Sequence, residues 1–385
     1  MTVENSNEET AIIEQVLRYC DSGETHREED VMLIPTREYH DPTHLENEVA
    51  ILFRQFPIVV AHASQLAEVG QFLTLDIAGL PVLLARGREG VRAFVNVCRH
   101  RGARLEGETC GKANTFSCPY HGWTYGLDGQ LRGMRFADGF GDINKGDLGL
   151  VELPAFERFG LVWVRPSASE SELDIDSWLA PMAEQLGSLE LNKHVVFKEW
   201  TLPRQMNWHI ALEGFQEQYH FCTAHKHTAC AAYLDNQGVF LDQFPHVRHA
   251  VPVAGFERLA ELAPEQRSYR SNFMTQNFLF PCNFAQVMTD HVYMHTILPT
   301  GPDSCIFKCM MLIPEAPATE KAERHWQANY DVVRTVFDED FAIGEGIQMG
   351  LAAEVNEHFT IGRYESGIQL ARRALDAAMA GQLKF

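Results

Sequence analysis

The spacing of hydrophobic and polar positions changes twice along the chain and predicts three kinds of structure. Near the N-terminus, Ser6 and Glu9 fit a capping box at the start of a helix. The apolar positions that follow have helical spacing: Ile12, Ile13, Val16 and Leu17. Between 50 and 165 the apolar runs are short and separated by Gly-containing turns, as in a small antiparallel β domain: FPIVVAH, LPVLLAR, VRAFVNV and GLVWVRP.

The last part of the chain mixes the two patterns. Helical periods cover 206–225 and 320–355, and strand-like runs cover 277–287 and 291–298. This mixture predicts an α+β fold, in which an antiparallel β domain precedes a helix-covered antiparallel sheet. We expect a helical segment at 1–48, the β domain at 49–165 and the sheet domain at 166–385. The pattern does not identify the partner of the first helix. The polar stretch 167–176 is a linker between domains or a loop inside one domain.

Composition and charge exclude some classes of protein. The 385 residues are 45% hydrophobic and 22% charged, which is typical of a globular protein. A formal net charge of −20 would repel nucleic acid and anionic lipid. No stretch approaches the roughly 20 apolar residues that span a bilayer, and the N-terminus has no signal-peptide pattern. We therefore expect a cytoplasmic protein without a nucleic-acid or membrane partner.

Two pairs of metal-binding residues lie in the β domain. Nine cysteines, an odd number, argue against a complete disulfide framework. Cys98 and His100 are separated by one residue, and 17 residues later Cys118 and His121 are separated by two. Such a set can hold tetrahedral zinc. The one-residue spacing and the Cys–His composition of each pair favour a [2Fe–2S] cluster of the Rieske type.

A second group of ligands follows in the sheet domain. Glu217 and His220 share a helical face, whereas His225 can reach the same metal only if the helix ends or bends near Cys222. Two histidines lack the carboxylate of a facial triad, and Asp340 supplies one. It is the one charged residue in an apolar stripe on the last helical period: Trp326, Tyr330, Val333, Phe337, Asp340, Gly344, Ile347 and Leu351. A buried carboxylate needs a cation; the alternative is a helix phase that leaves Asp340 exposed.

Four segments of the chain resemble those of a known family, the α subunits of Rieske non-haem iron oxygenases, which include aromatic-ring-hydroxylating dioxygenases. CRHRGARL (98–105) and CPYHGWTYGLDGQL (118–131) resemble the cluster-binding loops of this family. NWHIALEGFQEQYHFCTAH (207–225) and DEDFAIGEGIQMGL (338–351) resemble its catalytic segments. The resemblance covers most of the chain and implies a Rieske domain at 49–165 and a mononuclear iron domain at 166–385. It also implies that the segment 1–48 packs on the last domain.

The resemblance also implies the cofactors and their ligands. One [2Fe–2S] Rieske cluster would have one iron on Cys98 and Cys118 and the other on His100 and His121. One mononuclear Fe(II) would be bound by His220, His225 and Asp340.

Glu217 matches an acid with a special role in the family. In the trimers of the family, this acid connects a cluster histidine of one subunit to an iron histidine of the next, here His121 and His220. A homotrimer is therefore implied. Position 217 is Glu, whereas ring-dihydroxylating members typically have Asp, and Glu is found in the carnitine and betaine oxygenase branch among others.

Electrons must reach the chain from a partner. The sequence has neither a G-x-G-x-x-G dinucleotide motif nor a plant-type ferredoxin motif, so a separate reductase, with or without a ferredoxin, would deliver NAD(P)H electrons. Between 92 and 135, seven basic residues stand against three acidic ones. This excess would steer an acidic redox partner; the alternative is solvated arginines or contacts to a neighbouring subunit.

The substrate is the least specified part of the sequence-based account. Apolar residues near the motifs could line a pocket for a small aromatic or alicyclic compound: Phe215, Phe221, Phe240, Phe278, Phe280, Phe284 and Met294. Aromatic walls would also suit a methylammonium group, as in carnitine- or betaine-like substrates. Hydroxylation, dihydroxylation and oxidative demethylation all fit. The competing classes are a non-catalytic Rieske electron-transfer protein and a zinc-stabilised binding protein.

Overall fold

The computed structural model describes residues 5–168 and 174–385 and divides into two compact units. The β unit is Val49–His194 with Lys384–Phe385, and the α+β unit is Met1–Glu48 with Val195–Leu383. Sheets in the described ranges are built from antiparallel pairs, and the chain has the predicted α+β fold class. No helix in these ranges is long and apolar enough to cross a membrane.

The β unit contains three small sheets. The strands of its five-stranded sheet are, in spatial order, Glu152–Leu153, Val91–Val95, Leu80–Arg86, Gln71–Ile77 and Cys110–Lys112. Two three-stranded sheets consist of Ala155–Arg158, Leu161–Val164 and Ile58–His62, and of Thr115–Ser117, Thr124–Gly126 and Leu131–Gly133. Two short helices follow, Ile175–Leu179 and Ala183–Ser188.

The α+β unit is built on a seven-stranded sheet. In spatial order its strands are Val195–Arg204, Ser304–Ile313, Val292–Gly301, Asn283–Val287, Phe273–Leu279, His246–Pro252 and Val239–Gln243. A two-stranded sheet pairs Met32–Pro35 with His358–Ile361. The helices of this unit are Asn7–Ser22, Trp208–Glu213, Phe221–Ala224, Tyr269–Asn272, Glu320–Leu351 and Ser366–Met379, and helix Pro42–Gln55 contains the division between the units.

The N-terminal helix Asn7–Ser22 begins and ends as its sequence predicts. Ser6 and Glu9 form a reciprocal capping box, and Gly23 ends the helix at φ +71°, a conformation that glycine adopts without strain. The buried positions Ile12, Ile13 and Val16 pack with residues of the α+β unit, Phe256 and Phe273 among them. Burial of this apolar stripe holds the helix against its unit.

The division between the units differs from the sequence-based boundary at 166. Residues 174–194 belong to the β unit because Trp178 packs on Phe56 and the imidazole of His62 lies 2.9 Å from the carbonyl oxygen of Leu191. The polar stretch proposed as a linker, 167–176, falls partly outside the described residues.

The helical period at 206–225 forms two short helices instead of one. Trp208–Glu213 is capped by the side chain of Asn207, which accepts from the His209 backbone N–H at 2.9 Å, and the chain then turns before Phe221–Ala224. Close packing shapes this turn, since a Cβ on Gly367 would lie 2.0 Å from the carbonyl oxygen of Gln216. The turn therefore fixes where the following histidines lie.

The long helix Glu320–Leu351 begins where the predicted period 320–355 begins and ends four residues before it. Its buried positions are Val333, Phe337, Phe341 and Gly344, and the rings of Phe337 and Phe341 pack against Phe215 and Phe307. The predicted stripe is wrong at Ile347, which is 41% exposed because the buried face ends one turn earlier.

Candidate metal centres

The four predicted cluster ligands come together at two loops of the same shape. In each loop the backbone N–H of the cysteine donates to the carbonyl five residues later, and the glycine N–H four residues later donates back to the cysteine carbonyl. These glycines, Gly102 and Gly122, have φ of +76° and +70°, a backbone conformation that favours glycine. The repeated turn brings the two cysteines and two histidines to one end of the β unit.

The donors differ in burial. Cys98 and Cys118 are buried, whereas His100 and His121 are half-buried, with their Nδ1 atoms 3.1 Å apart. The hydroxyl of Tyr125 lies 3.4 Å from Cys98 Sγ, within hydrogen-bonding distance of sulfur. Two buried thiols beside two imidazoles with converging nitrogens fit a cluster with one Cys₂ iron and one His₂ iron.

Aromatic rings and arginines surround the two histidines. Trp123 stacks on His100 with ring centroids 4.8 Å apart. Arg99, Arg101 and Arg104 are exposed, and the Arg101 guanidinium lies over the ring of Tyr120. Three of the seven basic residues that the sequence indicated are therefore exposed in the first cluster loop, whereas Arg92, Lys112 and Arg132 form ion pairs with acidic side chains.

A second donor set lies in the α+β unit. His225 Nε2 is 2.9 Å from Asp340 Oδ1, His220 Nε2 is 3.6 Å from the same oxygen, and one donor atom from each residue lies within 4.8 Å of the other two. His220 precedes the single helical turn Phe221–Ala224 and His225 follows it. The backbone leaves the helical conformation at His225, with φ −102° and ψ 35°, so histidines five residues apart face one point.

Each of these imidazoles is held by a second carboxylate. His220 Nδ1 pairs with Glu217, and His225 Nδ1 lies 2.8 Å from Glu339 Oε2, which also accepts from the Thr228 hydroxyl at 2.6 Å. An ionised carboxylate can only accept, so Nδ1 carries a proton and Nε2 is the ring nitrogen that faces Asp340. This is the orientation that a metal-binding histidine needs.

Carboxylates also dominate the electrostatics of this site. Burial opposes protonation of His220, yet Glu217 and Asp340 outweigh it and raise its pKa. Burial opposes protonation of His225 as well, and Asp340 with Glu339 raises its pKa in the same way. Because the surroundings favour positive charge at both imidazoles, the donor set suits a divalent cation. Two histidines and one carboxylate are the ligands of non-haem Fe(II) sites with open positions.

A cavity of about 440 Å³ reaches this donor set. It is lined by His220, His225 and Asp340 together with mostly apolar side chains. Of the seven apolar residues proposed from the sequence, Phe215 and Phe221 line it; Phe240, Phe278, Phe280, Phe284 and Met294 do not. Among the described lining residues none is Lys or Arg.

Several residues near the centre were missed by sequence reasoning. Glu339 stands next to Asp340, and its role depends on a partner 114 residues away, which no local pattern reveals. Gln286 and His291 line the cavity.

Other histidines and cysteines near these segments lie outside the donor set. His209 is close in sequence to the ligands, but its imidazole lies 2.5 Å from the buried Glu48 carboxylate. Cys222 and Cys230 form a disulfide, and the other seven cysteines of the described chain are free.

Two family models match the chain. The Rieske [2Fe-2S] domain model matches residues 56–145, and the model of the ring hydroxylating alpha subunit (catalytic domain) matches residues 191–381. The fold and the two donor sets define an iron-dependent oxidoreductase that uses O₂. The chain belongs to the α subunits of Rieske non-haem iron oxygenases, and the cofactors of the family are one [2Fe–2S] cluster and one mononuclear iron.

Individual relatives agree with this assignment. The carnitine monooxygenase oxygenase subunit of Escherichia coli (strain K12) is 28% identical over 337 residues, which are 84% of this chain and 85% of the relative. The glycine betaine monooxygenase oxygenase subunit of Chromohalobacter salexigens is 34% identical over 195 residues, 50% of this chain and 43% of the relative. The crystal structure of the quaternary ammonium Rieske monooxygenase CntA with L-carnitine has the same fold, with a TM-score of 0.76 at 23% identity over 91% of this chain and 96% of that chain.

Proposed function

We propose that this chain is the terminal oxygenase of a multicomponent system and oxidises a small organic substrate with O₂ and NAD(P)H-derived electrons. The observation that carries the proposal is the 440 Å³ cavity that reaches His220, His225 and Asp340. A largely apolar cavity beside a two-histidine, one-carboxylate donor set allows a substrate to lie next to open coordination positions.

The two donor sets would hold different groups. Cys98, His100, Cys118 and His121 would hold the [2Fe–2S] cluster, and His220, His225 and Asp340 would hold Fe(II). When bound, these groups supply electrons and the activation of O₂. The chain itself keeps each iron-binding imidazole in one tautomer, through Glu217 and Glu339, and surrounds the substrate with apolar walls that exclude water.

The proposal includes partners. Glu217 would connect His220 of one subunit to His121 of the neighbouring subunit in a homotrimer; its contact with His220 Nδ1 supports this role. A reductase, with or without a ferredoxin, would dock near the exposed Arg99 and Arg101, whose charge would steer an acidic partner. The cytoplasm is the expected location.

For the substrate we propose a methylammonium compound without a free carboxylate. Two relatives are named for carnitine and glycine betaine, which supports the methylammonium group; both compounds also carry a carboxylate, so the absence of one is argued from the cavity lining. Aromatic rings line the cavity and can bind a methylammonium group by cation–π interaction: Phe215, Phe221, Tyr233, Tyr293 and Phe337. A buried substrate carboxylate away from the metal ligands would lose its hydration without gaining a lysine or arginine partner, because none of the described lining residues is Lys or Arg.

The second candidate is a neutral aromatic compound, the class expected first from the sequence. The mostly apolar lining, which includes Val333 and Phe337, supports it. Its affinity would come from apolar burial alone.

Substrate-dependent O₂ uptake by the iron-loaded enzyme with a reductase tests the proposal. A trimethylammonium alcohol should increase O₂ uptake and form an oxidised product, whereas carnitine should act more weakly and indole should not act. Asp340→Ala is the control that should abolish uptake. Oxidation of indole alone would favour the second candidate, and failure of every compound would contradict the proposed function.

A further inference from the structure

Two polar atoms that line the 440 Å³ cavity lack a hydrogen-bond partner. They are His291 Nε2 and Gln286 Oε1, in residues that are 2% and 8% exposed. Nearly all buried acceptors in proteins have a hydrogen-bond partner, so such atoms call for an explanation. Because both residues line the same cavity, we take a ligand in that cavity as the partner of these two atoms.

The contacts of His291 make its Nε2 an acceptor. Its Nδ1 lies 2.7 Å from Asp290 Oδ1, and the other carboxylate oxygen of Asp290 lies 3.1 Å from His325 Nε2. Burial raises the pKa of Asp290, but its partners His291 and His325 outweigh this effect and lower it, so the carboxylate is ionised and accepts the Nδ1 proton. Burial also lowers the pKa of His291, which leaves its imidazole neutral and the lone pair of Nε2 free.

Gln286 adds a second acceptor nearby. Its strand Asn283–Val287 pairs with Val292–Gly301, and Gln286 lies opposite Tyr293 in this register. The backbone N–H of Met288 donates to the carbonyl of His291 at 2.9 Å and closes the hairpin between the two residues. The side-chain N–H of Gln286 contacts Met288 Sδ at 3.8 Å, and its oxygen accepts no hydrogen bond.

This pair of acceptors is remote from the metal ligands. The ring of His291 lies 5.7 Å from that of Trp326, which precedes Asp340 by 14 residues on the helix Glu320–Leu351. At about 1.5 Å per residue, these positions are ~21 Å apart along the helix axis. The cavity lining on this helix runs from Asn329 to Asp340, so the cavity is elongated between its two polar ends.

We propose that His291 and Gln286 form a recognition site for a hydroxyl or N–H group at the end of the substrate remote from the carbon that is oxidised. Two acceptors favour a donor and repel a carboxylate or an ether oxygen. The inference rests on the proposed function, because it takes the cavity to be the substrate site, and it applies to both substrate classes considered above.

Matched ligand pairs test the site by binding, independently of turnover. The probes are a hydroxyalkyl trimethylammonium ion and its O-methyl ether, and a naphthol and its methoxy analogue, titrated calorimetrically into the iron-loaded protein. For at least one pair, the hydroxyl compound should bind about ten-fold more tightly than the ether to the wild type. In His291→Phe this ratio should fall to about one.

His325→Phe is the matched control. It removes the other histidine on Asp290, yet His325 does not line the cavity, so the ratio should stay near ten. An unchanged ratio in His291→Phe would overturn the inference. The inference would also be overturned if the wild type bound alcohol and ether equally and His291→Phe bound both more tightly. In that case the two acceptors would bind only water. Absence of binding by every probe would overturn it as well.

The result separates this inference from the proposed function. Selective binding without O₂ uptake would keep the recognition site and contradict the oxygenase proposal. Substrate-dependent O₂ uptake with equal binding of alcohol and ether would keep the oxygenase proposal and contradict the recognition site.

Discussion

Glu339 holds the imidazole of His225 through its Nδ1, at 2.8 Å, while the Nε2 of the same ring faces Asp340 at 2.9 Å. Two consecutive residues of one helix therefore act on opposite sides of one histidine. Glu217 holds His220 in the same way from the other side of the site. The donor set is thus oriented by carboxylates that do not themselves face the metal position.

Removal of the Glu339 carboxylate should weaken the metal site. In Glu339→Ala the His225 ring loses its fixed tautomer, and we expect Fe(II) affinity to fall about 10–100-fold. Glu339→Gln, which keeps an acceptor, should lie between this variant and the wild type. Competitive Fe(II) titration measures the effect, with Asp338→Asn, an exposed neighbour, as the control. Wild-type affinity in Glu339→Ala would refute the role of this contact.

Glu217 should matter for turnover more than for metal content. Glu217→Gln keeps a hydrogen-bond acceptor for His220 Nδ1, so both metal groups should remain, while we expect steady-state turnover to fall by roughly 10–100-fold because the charged contact between subunits is lost. Iron and sulfide content together with O₂ uptake measure the two effects. Full activity in this variant would exclude Glu217 as the connection between subunits.

The close approach of Gly367 to Gln216 should control the turn that precedes His220. In Gly367→Ala the new Cβ would meet the carbonyl oxygen of Gln216 at 2.0 Å, one residue before Glu217. We expect a loss of about 1–3 kcal/mol in the free energy of unfolding and reduced iron loading. Gly346→Ala is the control, since its Cβ meets open space within the helix Glu320–Leu351 and should stabilise by up to about 1 kcal/mol. Equal behaviour of the two variants in thermal unfolding would count against this packing argument.

Glu213 should make stability depend on pH. Burial raises its pKa to about 7, although the Tyr39 hydroxyl, at 2.8 Å, stabilises the charged form. The folded protein then keeps a proton that the unfolded chain releases above its ordinary pKa of 4.5, so stability is full below that pH and falls as the pH rises toward 7. Glu213→Gln should remove this dependence. The difference in free energy of unfolding between the variant and the wild type should then be about 3 kcal/mol more favourable to the variant at pH 8 than at pH 4.5. Parallel pH profiles of melting temperature in the two proteins would contradict the assignment.

Much of the site could be predicted from local sequence patterns. The pairs Cys98–His100 and Cys118–His121 lie in short loops, so their spacing alone predicts that each pair converges. Asp340 could be identified from the sequence because it interrupts an apolar helical stripe. In each case the residues that define the feature are close in sequence or share one helical period.

Features set by tertiary contacts could not be predicted in this way. The two acceptors at the remote end of the cavity depend on the register that places Gln286 opposite Tyr293 and on the contact of His291 with Asp290. Phe284 and Phe215 look alike in the sequence, yet only Phe215 lines the cavity. Hydrophobicity identifies buried residues but does not distinguish the core from the wall of a cavity.

The most direct test of the account is the iron and acid-labile sulfide content of anaerobically prepared protein. One Rieske cluster and one mononuclear site predict about three irons and two sulfides per chain, falling to about two irons and two sulfides in a His220→Ala, His225→Ala double variant. Zinc without sulfide at Cys98, His100, Cys118 and His121 would contradict the account.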